Sequence, residues 1–96
     1  MVTHIVMFAF LDENKMENIS KAKEILEALM GKVPTLKSME VGVNFSAEER
    51  AMDLSIITTF DDRTGLEAYA IHPDHLEVVE FIKRVVSGSK VVDYEI

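Results

Sequence analysis

The chain has 96 residues, no cysteine, and 17 acidic against 10 basic residues, a formal net charge of −7. That length fits a single domain spanning the whole chain, with a real but thin core. The missing thiols exclude disulfide frameworks, cysteine-bound zinc and thiol catalysis, and the acidic balance argues against nucleic acid, an anionic membrane surface or a polyanionic substrate. Hydrophobic residues make up 48% of the chain, on the high side for a small domain, which implies apolar surface covered by a second subunit. Met1-Val2-Thr3-His4-Ile5-Val6 carries no basic leader-like region, and no apolar run is long enough to span a bilayer. A cytoplasmic protein is the expectation.

In chain order, Thr3 to Phe10 alternates and is rich in β-branched and aromatic residues, which predicts a strand. His4, Val6, Phe8 and Phe10 share one face, and Thr3, Ile5, Met7 and Ala9 the other. Both faces are largely apolar, so the strand should be covered on both sides. Asp12 or Asn14 then offers a cap for a helix. Met16, Ile19, Ala22, Leu26, Leu29, Met30 and Val33 recur at helical spacing, Gly31 suits the helix end, and Pro34 prevents continuation. Ser38 to Phe45 predicts a half-buried strand with room for a bulge at Gly42. Asp53 to Phe60 predicts its antiparallel partner.

Asp61-Asp62-Arg63-Thr64 caps a short helix that carries Tyr69. Pro73 cannot lie inside a helix but suits the first position of one. The spacing therefore predicts one helix ending near Ile71 and another starting at Pro73, with His72 at its N-cap and an end near Ser87-Gly88-Ser89. His75 falls in the first turn and shares its face with Val78, Val79, Ile82, Val85 and Val86, so it points inward. Burial and the positive end of the helix dipole both disfavour imidazolium there, which leaves a neutral imidazole suited to act as a base. A last strand runs from Lys90 to Ile96.

The order β-α-β-β-α-β, with the second helix broken, is the ferredoxin-like split βαβ arrangement, an α+β fold with helices on one face of a four-stranded antiparallel sheet. Its other sheet face is also apolar. Two such sheets packed face to face, a dimeric α+β barrel, cover it with a second copy, so a homodimer is expected.

Several segments together resemble a known family. They are His4-Ile5-Val6-Met7-Phe8, Val33-Pro34-Thr35-Leu36, Glu40-Val41-Gly42-Val43-Asn44, Phe60, Tyr69-Ala70-Ile71-His72-Pro73-Asp74-His75 and Val91-Val92-Asp93-Tyr94. The chain is similar over nearly its whole length to the stress-responsive A/B barrel domain family, whose members include plant stress proteins and a plant polyketide cyclase. The Tyr-x-x-His-Pro-x-His segment is the most specific part. The resemblance implies a base at His75 for an aldol-type ring closure, a tyrosine at Tyr69 that holds or polarises the substrate carbonyl, and an acid at Asp93 that orients the histidine. It also implies that His4 lines the pocket, and His72 and Asn44 join His4 as candidate substrate-binding residues. The cyclase lines its pocket with a tyrosine on the first helix, and this chain has no aromatic residue there.

Each of these residues also has a plainer use. His75 and Tyr69 fit core positions with their polar atoms satisfied by backbone, His72 fits a helix cap, and Asp93 fits a partner other than His75. The three histidines have no carboxylate fixed near both His72 and His75, so no metal is expected, and no phosphate-binding or G-x-S-x-G pattern occurs. Two functions follow. One is a cofactor-free enzyme moving a proton on a small apolar carbonyl compound. The other is a non-catalytic stress-response or small-ligand-binding barrel.

Overall fold

In the computed structural model, which describes residues 1–96, the chain order is β1 (Val2–Phe10), α1 (Lys15–Glu27), β2 (Ser38–Val43), β3 (Leu54–Phe60), α2 (Arg63–Ala70), α3 (Pro73–Val85) and β4 (Val86–Glu95). The sheet order is β2-β3-β1-β4 and every pairing is antiparallel. This is the ferredoxin-like arrangement that the alternation of elements predicts.

Strand periodicity decides which side chains the helices cover. Leu54, Ile56, Thr58 and Phe60 of β3 are buried while the residues between them are not. The register places Phe8, Val6, His4 and Val2 of β1 opposite these four in turn, so those side chains share the helix-covered face. On β4, Ser89, Val91, Asp93 and Glu95 pair with the same four β1 residues and lie on that face too. The core joins this face to Ala22, Leu26 and Leu29 near α1, Tyr69 of α2, and Val78 and Ile82 of α3. The other face presents Ile5, Ile57 and Val92 in one row across three strands, flanked by Met7 and Tyr94. Within one chain Val92 is 50% exposed and Tyr94 43%.

Four local expectations are corrected. The first helix ends at Glu27 rather than running on to Gly31, because the N–H groups of Leu29 and Met30 donate to the carbonyls three residues back, those of Leu26 and Glu27, and tighten the chain into turns. Leu29 and Val33 are buried all the same. Neither Asp12 nor Asn14 caps that helix with its side chain, and Asn14 sits at the N-cap in the left-handed region, φ 53°. Gly42 carries no bulge, since it pairs with Ser55 in an unbroken register. The irregularity lies at Ala9/Phe10 against β4. Finally, Ser87-Gly88-Ser89 is strand, not helix end or loop, and β4 begins directly after α3. A ten-residue edge strand with one continuous neighbour outweighs the turn preference of a Ser-Gly-Ser triplet.

Candidate functional site

The corner between α2 and α3 sets the site. His72 is extended (φ −63°, ψ 134°), and its Nδ1 accepts the Asp74 N–H at 3.1 Å, which caps α3 with Pro73 next in line. That cap fixes His75 in the first turn, facing the sheet. The Nδ1–H of His75 donates to the carbonyl of Ala70, the last residue of α2, at 3.1 Å. A carbonyl only accepts, so in the neutral ring the proton sits on Nδ1 and the lone pair on Nε2. The ring lies 4.3 Å from that of Tyr69, centroid to centroid, and Tyr69 lies 5.2 Å from Phe60.

Burial lowers the His75 pKa from its ordinary value. The Ala70 bond opposes that shift, and repulsion from His4 and His72 adds to it. Tyr69 is 3% exposed, and burial pushes its phenol up to about 12, so it stays a neutral donor throughout the physiological range. No side-chain polar atom is both sealed from solvent and without a hydrogen-bond partner, so the Tyr69 hydroxyl opens onto free space.

That space is a cavity of about 190 Å³ between the sheet and α3. Val6, Phe8 and Ile56 form its floor, with Leu26 on one side and Val78, Val79, Ile82 and Val86 above. His4, Tyr69 and His75 supply the polar groups at one end. It slightly exceeds the roughly 150 Å³ that accepts a benzene molecule in an apolar core.

The structure therefore brings together Tyr69, His75 and His4, with Asp93 bonded to His4, and leaves His72 and Asn44 outside the cavity walls. Asp93 is on the helix-covered face, as a partner of His75 would have to be. Its carboxylate nevertheless hydrogen-bonds to Nδ1 of His4, its direct neighbour across the β1–β4 pair, and not to His75. The expected His75–Asp93 pairing is thus corrected to His4–Asp93. Thr58, fully buried, donates its hydroxyl to the His4 carbonyl at 3.2 Å and holds the strand at that level. His72 is not among the cavity walls, and its Nδ1 is engaged in the cap. Asn44 is bonded to the backbone of Ser46 and faces a separate groove beside Met7, Gly42 and Met52. No cluster of three or more His, Cys, Asp or Glu side chains is placed to hold a metal ion.

Two wall residues escape the sequence reading, Lys83 and Ser89. Lys83 stands four positions after Val79 on the α3 stripe, and a charge in that stripe was the available signal. Ser89 shares strand parity with Asp93, four positions away, but the misassigned start of β4 hides it.

The stress-responsive A/B barrel domain family model matches residues 2–96. A stress-response A/B barrel domain-containing protein of Arabidopsis thaliana is 25% identical over 96 residues, 97% of this chain and 84% of that protein. A dimeric protein of unknown function and ferredoxin-like fold from Bacteroides fragilis superposes with a TM-score of 0.90 at 29% identity, covering 99% of this chain and 95% of that one. The hydroxynitrile lyase of Passiflora edulis superposes with a TM-score of 0.87 at 20% identity, over 99% and 92% of the two chains, a likeness of fold. No helix of this chain is long and apolar enough to cross a membrane.

Proposed function

The chain belongs to the stress-responsive A/B barrel domain family, and from that premise we propose that it is a homodimeric, cofactor-free catalyst of proton transfer on a small, mostly apolar carbonyl compound. The observation that carries this reading is the tautomer of His75. Its Nδ1 proton is committed to Ala70, its pKa is lowered, and the Nε2 lone pair is left for a substrate in an apolar cavity. Such a ring removes a proton α to a carbonyl as a general base. The developing enolate oxygen needs a donor that stays protonated, and the Tyr69 phenol is one. His4, held by Asp93, offers its other ring nitrogen to the same end of the cavity. Asp93 then acts on substrate through His4 rather than through His75. That a hydroxynitrile lyase shares this fold supports an enzymatic use of it.

One observation favours the alternative, a barrel that only binds a ligand. His75 rests on a backbone carbonyl and lacks the carboxylate that would raise its basicity. The two readings separate in deuterium oxide. With an aryl methyl ketone as probe, the parent protein should exchange the methyl protons, followed by proton NMR. His75→Ala should slow that exchange by about 100-fold or more, and Tyr69→Phe by a comparable factor. A parent protein that exchanges no faster than His75→Ala leaves only the binding role.

A further inference from the structure

The cavity has two polar ends, and the reading above uses one. His4, Tyr69 and His75 stand at the first; Lys83 and Ser89 stand at the second. The two ends are set apart by the geometry of the elements. His75 and Lys83 lie eight residues apart on α3, about 12 Å along a helix axis. Ser89 and Asp93 lie four residues apart on β4, about 13 Å along a strand. Between them the walls are aliphatic or aromatic. Lys83 and Ser89 are both exposed, so this second end is the mouth.

Lys83 is the only permanently charged side chain among the thirteen wall residues, and it pairs with no carboxylate of its own chain. In a protein of net charge −7, a cation left free at the mouth of an apolar cavity gives that mouth a local sign opposite to the whole. Ser89 adds a hydroxyl donor at the same place.

We propose that Lys83, with Ser89, selects a ligand bearing a single carboxylate. The ligand is a ring-sized unsaturated or aromatic body with a carbonyl at one end and the carboxylate at the other. This rests on the proton-transfer reading for the carbonyl end only. A phosphate ester fits less well, because one lysine and one hydroxyl leave part of a dianion unpaired and the overall negative charge repels it. The volume agrees: about 190 Å³ takes the ring, and the carboxylate stays at the wet mouth beside the ammonium. A last-turn lysine also complements the α3 dipole, so the test must read ligand charge and not stability.

The experiment compares para-acetylbenzoate with para-methylacetophenone, a near-isostere in which a methyl replaces the carboxylate. Affinities are read by NMR titration of the full-length parent, Lys83→Met and Lys83→Arg. The parent should bind the carboxylate about fivefold more tightly than its neutral counterpart, as a partly exposed ion pair allows. Lys83→Met should erase that preference and Lys83→Arg should keep it. The preference should also shrink as salt is raised, because the pair is reached by solvent. Equal affinities in the parent, a preference that survives in Lys83→Met, or no binding of either probe at millimolar concentration would overturn the proposal. The proton-transfer reading fails by a different signal, the absence of His75-dependent deuterium exchange in the bound probe, whatever the affinities are.

Discussion

At His75 a single proton position links structure to pH. The ring is neutral in the folded protein because burial lowers its pKa, whereas in the unfolded chain it titrates near its ordinary value of about 6.5. A group depressed on folding contributes stability above its unfolded pKa and loses it as pH falls through the folded one. The unfolded chain binds the extra proton first. Stability measured by urea denaturation should therefore decline as pH falls below about 6.5, the unfolded-chain value, and His75→Gln should flatten part of that decline. An equal slope in both proteins would place the sensitivity elsewhere. The imidazole was legible in the sequence because its facing depends on local helix spacing from Pro73. Its partner was not. Asp93 reaches His4 through a cross-strand register, and alternation along β4 fixes only that Asp93 and Val91 share a face, not which face meets the helices. Lys83 escaped for the opposite reason: a lysine four positions from a valine reads as a solvated edge of the stripe until a cavity is seen beneath it.

The α2–α3 corner is the element that places the site, and His72 is its fastener. The cap satisfies the Asp74 N–H, and the extended backbone at His72 is what the residue before a proline adopts. His72→Ala should cost about 1 kcal/mol of stability, and His72→Ser, a better-known cap, should restore most of it. Denaturation midpoints of the three proteins decide this, and if His72→Ser is as destabilised as His72→Ala the histidine does more than cap. Corners of this kind are legible because Pro73 declares them. The ends of α1 and the start of β4 are not, because tertiary pairing overrides local preference there. Gly31 marks a turn with φ 88°, yet the helix stops four residues earlier, and Gly88 sits in a strand opposite Ala9.

Across the whole molecule the sheet divides two apolar environments. One face closes the cavity and core with the helices. The other carries the row Ile57, Ile5, Val92, which within one chain meets water. The composition and the two-sided first strand pointed to this, and the Bacteroides fragilis neighbour is dimeric. A homodimer through this row is the expected assembly, with each substitution counted twice in a two-fold interface. Val92 is half exposed in one chain, so Val92→Glu should leave the fold intact and place two unpaired carboxylates in the interface. Sedimentation should then give a folded monomer for Val92→Glu and a dimer for the parent. A dimer that survives unchanged would put the interface on another surface.

The pairing of β1 with β4 also fixes an order of assembly. His4 and Asp93 are 89 positions apart, and their side chains meet only through that pairing. The contacts of His75 with Ala70 and Tyr69 are local and form as soon as α2 and α3 dock. Bringing β4 beside β1 closes the longest loop in the chain, so its entropy must be met before any ladder bond compensates. The His75 contacts therefore close a short loop, and the His4–Asp93 contact closes nearly the whole chain, at a larger entropic cost. The two histidines at one end of the cavity then become clocks of different events: His75 for the docking of two helices, His4 for closure of the sheet.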